Sequence, residues 1–360
     1  MLDLDLNKAF LELENGMVFE GKSFGFECAV SGEVVFNTGM VGYPQTLTDP
    51  SYKGQILCST YPLAGNYGVP RVEKDEFGIL KHFESSNIQV SGLLVQNYSF
   101  SYWHHEAFQS LRKWLVSEQI PALTGIDTRL LTQVLREKGA MLGRIYFEHG
   151  KMPEFHDPNR ENLVSMVSCT DVQEFGKGKK TVALLDCGAK NNIVRSLAER
   201  KVKVLRIPWD YDATGKEKIS GLVVSNGPGD PMMAGKSIEI VGNAIESKIP
   251  VFGICLGNQL LALASGAKTY KLKYGHRGQN QPVQDKITGR CLVTSQNHGF
   301  AVDAKTLPSG WKELFVNLND NTNEGLINRE RKCFSSQFHP EAFPGPVDAN
   351  YLFDEFLGML

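Results

Sequence analysis

Along residues 7–100, apolar and polar positions alternate in short runs, the signature of strands with one face buried. Leu11-Glu12-Leu13-Glu14 alternates, Asn15-Gly16 supplies a two-residue hairpin turn, and Met17-Val18-Phe19-Glu20 returns. Gly32–Asn37 reads as a further strand, and after a glycine- and proline-rich passage (Gly39–Gln55) an apolar strand starts at Ile56. The period then lengthens. Glu106–Glu118 carries Phe108, Leu111, Trp114 and Leu115 at helical spacing, and Thr128–Lys138 turns Leu131, Val134 and Leu135 to one face, with Asp127 as N-cap and Gly139 as stop. Over residues 151–180 the pattern dissolves into prolines and the charged run Gly176–Lys180, which reads as a solvated linker and lacks the spacing of a phosphate-binding loop.

From Thr181 strands and helices alternate. Thr181–Asp186, Val202–Ile207, Ile219–Ser225 and Pro250–Ile254 read as strands, with helices over Asn191–Arg200 and Ser237–Lys248. This grammar predicts an α/β chain: an N-terminal mixed β/α domain (1–150), the linker (151–180), and a C-terminal domain (181–360) with a mainly parallel sheet flanked by helices. In such sheets ligands sit at the carboxyl ends of strands.

The last of these strands runs straight into Cys255, and a helical pattern with Leu260, Leu261 and Leu263 follows at once. Gly253 and Gly257 make this G-x-C-x-G, the thiol counterpart of the strand–turn–helix elbow that holds a nucleophile exposed and strained. A side chain at either glycine would crowd the turn. The positive end of the helix dipole favours a thiolate there. Composition narrows the rest. The 38 Lys and Arg against 40 Asp and Glu, a net charge of −2, point away from nucleic acid and from an anionic membrane surface. No apolar run is long enough to span a bilayer, and the acidic MLDLDLNKAF start does not resemble a secretory signal. Seven scattered cysteines without a C-x-x-C pair argue against structural zinc and disulfides and for a cytoplasmic location. No metal site is expected.

A thiol nucleophile needs a base, and the base needs a group to fix its tautomer. Of the eight histidines, His339 is followed two residues later by a carboxylate, Glu341, and then by a proline-rich turn. Alone it would be unremarkable; with the elbow, Cys255, His339 and Glu341 read as a triad. Ser225–Pro231 (SNGPGDP) follows a predicted strand; by itself it reads as a tight turn, but its backbone N–H groups, with that of Leu256, can serve an oxyanion. Asn297–Phe300 (NHGF) is either a substrate-holding segment or a simple turn between strands, and its residues alone leave both open.

SNGPGDP, GICLGNQ, NHGF and FHPEA, in this order and spacing, resemble a class I (triad) glutamine amidotransferase domain. Gly32–Ile56, Tyr61–Gly68 and Thr124–Ala140 resemble the carbamoyl phosphate synthetase small chain, so the similarity covers nearly the whole chain. The resemblance implies that Cys255 forms a thioester with L-glutamine, that His339 and Glu341 move and orient protons, and that Gly227 and Leu256 form the oxyanion site. It implies that Ser51, Gly229, Gln259, Asn297, Gly299 and Phe300 hold glutamine. It also implies a large-subunit partner, in a heterodimer or a higher oligomer of heterodimers, that receives the ammonia and binds ATP and Mg²⁺; no cofactor is expected in this chain. Asn258 and Gln281 stand where that family usually has histidine. The competing readings are the glutaminase subunit of another amidotransferase, a non-catalytic regulatory subunit, and a stand-alone cysteine hydrolase. The first would lack Gly32–Ile56, the second would be expected to lack Cys255, and the third leaves the N-terminal domain unexplained.

Overall fold

The computed structural model describes residues 6–360 and divides into two compact units, one running through Glu73 and over Lys81–Pro158, the other comprising Lys74–Leu80 and Asn159–Leu360.

The first unit is a closed barrel. Around it run Lys8–Leu13, Met141–Phe147, Val30–Asn37, Gln55–Ser59, Gly92–Leu94, Ala122–Thr124 and Val18–Ser23. The expected hairpin at Asn15-Gly16 forms, with Gly16 at φ 84° and the Leu13 N–H donating to the Met17 carbonyl at 2.9 Å. The alternation turns Ala9, Leu11 and Leu13 inward, each completely buried. Helix Thr128–Lys138 has the predicted ends: the Asp127 carboxylate accepts from the Leu130 N–H at 2.9 Å, and Gly139 stops it at φ 108°. The helix expected over Glu106–Glu118 begins only at Leu111, because the Ser110 hydroxyl caps it. Ala107–Gln109 is instead a short strand paired with Val69–Pro70, and Phe108 is exposed rather than inward. The local pattern fitted a helix; the cap and the strand partner decided otherwise.

The second unit is built on a ten-stranded sheet. Its centre is parallel: Lys203–Pro208, Thr181–Asp186, Gly221–Val224, Val251–Ile254 and Cys333–Ser336, in that spatial order. Beyond Cys333–Ser336 the sheet continues antiparallel through Asn323–Asn328, Lys312–Asn317, Lys268–Asp285 and Cys291–Asp303. The parallel part is thus the heart of a larger mixed sheet. Its strands are buried on both faces, which is why they read as continuous apolar runs. Ala183 and Leu185 pack on the side of helices Gly235–Glu246 and Leu256–Ala264. Val182 and Leu184 pack on the side of Asn191–Ala198 and Leu352–Met359.

The stretch expected to be a solvated linker is partly built into this unit. Leu163–Val167 is a short helix that buries Leu163 and Val164, and Gln173–Phe175 adds an antiparallel edge strand to Lys203–Pro208. Both elements are too short to leave a periodic trace. NHGF is not a turn: it lies inside the long strand Cys291–Asp303, with Asn297 opposite Arg277. Among the described residues no helix is long and apolar enough to cross a membrane.

Candidate active site

Strand Val251–Ile254 ends at Cys255, and helix Leu256–Ala264 begins on the next residue, with Cys255 at φ 55°, ψ −103°. A non-glycine residue there is strained, as nucleophiles on elbows are. The glycines are sterically required. A Cβ on Gly253 would run into the Gly257 carbonyl, and one on Gly257 would run into that of Val224. The turn is fastened on both sides: the Cys255 N–H donates to the Ser336 carbonyl at 2.8 Å and the Gly257 N–H to the Ser225 carbonyl at 3.1 Å.

That first bond sets the register. Ile254 lies beside Ser336 in the parallel pair, so the chain leaving Ser336 carries Gln337 and His339 past the elbow. His339 Nδ1 is 2.6 Å from Glu341 Oε1. Glu341 is also bound by the ammonium of Lys190, at 3.0 Å, and this ammonium donates to the Ala342 carbonyl at 2.6 Å. His339, Glu341 and Lys190 are all buried. The turn after Glu341 passes through positive φ at Ala342 and Phe343, both 55°. Lys190 was not anticipated from the sequence: it precedes helix Asn191–Ala198 and carries no motif, and only the fold brings it to Glu341.

The charges follow from this packing. Burial alone would push His339 down, but the Glu341 carboxylate, and behind it the Cys255 sulfur, carry its pKa up to about 10. Burial pushes Glu341 up; Lys190 and His339 outweigh it and hold the carboxyl at about 2. The Cys255 thiol donates to the Asn297 carbonyl at 3.8 Å, while His339 Nε2 is buried without a hydrogen-bond partner. The Cys255 sulfur thus lies near enough to His339 to help raise it, second to Glu341, which is the proximity a nucleophile and its base require.

The other sequence candidates fall as follows. Gly227 has no room for a side chain against the Cys187 carbonyl and Leu256, and Gly229 sits at φ 82°. Neither Gly227 nor Leu256 donates its backbone N–H to another backbone group of the described residues. Gln259, one helical turn beyond Cys255, donates to the Phe300 carbonyl at 2.9 Å and to Gln337 Oε1 at 3.1 Å. Its neighbour Asn258 donates to the same Gln337 oxygen at 2.9 Å and accepts from Ser335. Asn297, Gly299 and Phe300 are consecutive with His298 on the strand whose Asn297 carbonyl meets the thiol. Gln281 lies near a strand irregularity, accepting from Asn319 at 3.1 Å. Ser51 belongs to the first unit, buried in the short 3-10 turn Pro50–Tyr52 with its N–H on Asp49. Among the described residues two groups have metal-ligand spacing: the exposed His104, His105 and Glu106, and the buried His276, His298 and Glu324.

A strained thiol, a buried histidine locked to a carboxylate, and the backbone N–H groups of Gly227 in its loop and Leu256 at a helix start can together perform acyl transfer. Comparison with known proteins agrees. Residues 183–359 match the glutamine amidotransferase class-I family model, and residues 11–145 match the model of the carbamoyl-phosphate synthase small chain, CPSase domain. The chain is 50% identical to the carbamoyl phosphate synthase arginine-specific small chain of Saccharomyces cerevisiae, over 97% of this chain and 88% of that one. The protein of the same name from Phaeosphaeria nodorum is 48% identical over 98% of this chain and 76% of its own length. The mitochondrial carbamoyl-phosphate synthase (ammonia) of Mus musculus is 49% identical over 100% of this chain, which spans only 24% of that longer protein. The fold is that of a class I amidotransferase unit joined to a small-chain barrel. The chain belongs to the carbamoyl-phosphate synthase small-chain family.

Proposed function

We propose that this chain hydrolyses L-glutamine and supplies the ammonia to a carbamoyl-phosphate-forming large chain. The observation that carries the reading is the buried His339–Glu341–Lys190 array beside the strained Cys255.

In the proposed reaction, Cys255 sulfur attacks the side-chain amide carbon of glutamine, bound against Asn297, Gly299, Phe300 and Gly229, with Gln259 bracing Phe300. Negative charge gathers on the former carbonyl oxygen and is met by the N–H groups of Gly227 and Leu256. His339 Nε2 holds the thiol proton and delivers it to the departing nitrogen; the C–N bond breaks, ammonia leaves, and a γ-glutamyl thioester remains. The same nitrogen then takes a proton from water, which attacks the thioester; glutamate forms and the thiol is regenerated. Glu341 holds the ring by Nδ1, and Lys190 keeps Glu341 ionised while it does so. Ser51 is assigned to the glutamine site on family resemblance.

The partner is proposed to be a large chain that binds ATP and Mg²⁺ and consumes ammonia and bicarbonate, the pair forming a heterodimer or an oligomer of heterodimers. This chain needs no cofactor of its own for the hydrolysis. Unpaired cysteines suit a reducing, cytoplasmic setting. The deciding experiment compares the glutaminase rate of the chain alone with that of the chain reconstituted with large chain, ATP and bicarbonate. Stimulation together with carbamoyl phosphate formation supports the reading; glutamine left intact in both mixtures ends it.

A further inference from the structure

Behind the strand that carries Asn297 lies a set of buried polar groups that the triad does not use. His276 and His298 stand opposite each other across the antiparallel pair, with ring centroids 5.0 Å apart. The completely buried Glu324 reaches both: its Oε1 is 3.2 Å from His276 Nδ1 and 4.0 Å from His298 Nε2. Among the described residues these two rings are its only ion-pair partners. The surrounding groups fix which atoms turn inward. The exposed Asp320 carboxylate holds His276 by its outer nitrogen, Nε2, at 2.8 Å. The Phe300 carbonyl, which can only accept, holds the outer nitrogen of His298, Nδ1, at 2.8 Å. The Gln296 amide nitrogen donates to Glu324 Oε2 at 3.0 Å and to the Thr294 hydroxyl at 3.1 Å, and that hydroxyl donates onward to the Gln281 carbonyl. The Gln296 oxygen is therefore the atom that faces His298 Nε2, at 3.1 Å.

With the proton of each neutral ring committed outward, His276 Nδ1 and His298 Nε2 present lone pairs, and both face oxygen acceptors. One cation among them satisfies both contacts at once. Two imidazole nitrogens and a carboxylate oxygen are a ligand set that suits zinc. The outer ring nitrogens rest on a carboxylate and a carbonyl, and the carboxylate is held by Asn317 and Gln296, which is the outer support that metal-ligating side chains have. The spacing agrees. The three ligand atoms all lie within 4.8 Å of one another, and two imidazoles on one tetrahedral zinc place their ring centres about 5 Å apart. We propose that His276 Nδ1, His298 Nε2 and Glu324 Oε1 form a structural zinc site, with the Gln296 oxygen in reach of the fourth position. The ion joins three strands, Lys268–Asp285, Cys291–Asp303 and Asn323–Asn328, and Asp320 marks its side of entry from solvent. Because the ligands come from three separate strands, no spacing along the chain announces them. The site is not part of the triad, and the proposed hydrolysis does not run through it.

The test uses the full chain carrying Cys255→Ser, so that the triad thiol cannot hold the metal. The chain is incubated with zinc at mildly alkaline pH, desalted, and measured for bound metal and for thermal unfolding. One zinc per chain is expected, with an unfolding midpoint above that of the metal-free chain. His276→Ala and, separately, Glu324→Gln are expected to abolish retention. His104→Ala, in the exposed His104, His105 and Glu106 group, is expected to keep it. Asp320→Asn lies at an exposed position outside the ligand set and is expected to weaken zinc binding about tenfold. It carries the test if the ligand variants do not fold. No zinc retained by the parent overturns the site, as does retention unchanged in folded His276→Ala or in Asp320→Asn, or retention lost in His104→Ala. Each of these outcomes leaves the glutaminase reading intact, since that reading is decided by hydrolysis and not by bound metal.

Discussion

The barrel unit and the sheet unit handle polarity in opposite ways. In the barrel the inward positions are mostly apolar, such as Leu11, Leu13, Ile56 and Leu123, and unusual exposure is apolar as well: Trp103 is 90% exposed and Val72 75%. In the sheet unit Lys190, Asn258, Gln259, Gln296, His298, Glu324, Gln337, His339 and Glu341 are all buried. A closed barrel pairs its strand edges and fills its interior with side chains, and its unit buries fewer charged groups, Glu33, Asp49 and Glu84. A parallel sheet ends in loops that converge at the carboxyl ends of its strands, and there desolvated charges can be paired with one another. The contrast teaches where sensitivity should lie: the proposed triad and its paired buried charges in one unit, and mostly packing, surface and the proposed glutamine contact Ser51 in the other.

The contrast breaks first at the nucleophile. Cys255→Ser is expected to lower glutamine hydrolysis by about a thousandfold or more while leaving thermal unfolding nearly unchanged; residual activity near that of the parent would remove Cys255 from its role. Next comes Lys190→Met, which leaves the buried Glu341 carboxylate with His339 as its remaining ionic partner. It is expected to cost about 3 kcal/mol in urea unfolding, the lower end for a broken buried pair, with hydrolysis falling as Glu341 loses the charge that does most to keep it ionised. A loss below about 1 kcal/mol would mean that the ion pair is not desolvated as the structure has it.

The pH dependence sharpens the same point. His339 is raised from 6.5 to about 10, so its contribution to stability is complete below about pH 6.5 and fades as pH climbs through about 10. Glu341 is depressed from 4.5 to about 2, so its contribution is complete above about pH 4.5 and is lost as pH falls through about 2. Urea midpoints measured at pH 6 and pH 9.5 should therefore drop for the parent chain. The drop should be smaller in Glu341→Gln, where the largest influence raising His339 is gone; an equal drop in both would place the titration elsewhere. The smallest effect is expected on the barrel: Trp103→Ala should shift stability by no more than about 0.5 kcal/mol and leave hydrolysis by the chain unchanged. A large change in either would show that the barrel surface is not the passive face the contrast assigns to it.

Much of this was legible from residue patterns. The hairpin at Asn15-Gly16, the capped helix Thr128–Lys138 and the elbow at Cys255 follow from local rules, because each depends on dihedral or capping needs that near neighbours meet. The misplaced start of the helix at Leu111 and the unexpected edge strand Gln173–Phe175 mark the limit of such rules, since both were decided by partners distant in sequence. Lys190 and Glu324 leave no local mark at all. A lysine or glutamate reads as solvated until the fold takes its surroundings out of water.

By itself the sequence determined the turn at Cys255, the placing of a histidine two residues before a carboxylate, and the alternation of strands and helices from Thr181 to the elbow helix. The tertiary structure alone decided that His339 is carried past the elbow, that Lys190 neutralises Glu341, and that Glu324 reaches His276 and His298. The physical reason is range. Backbone geometry and capping act over a few residues, whereas desolvation and charge pairing depend on every group the fold brings within a few ångströms.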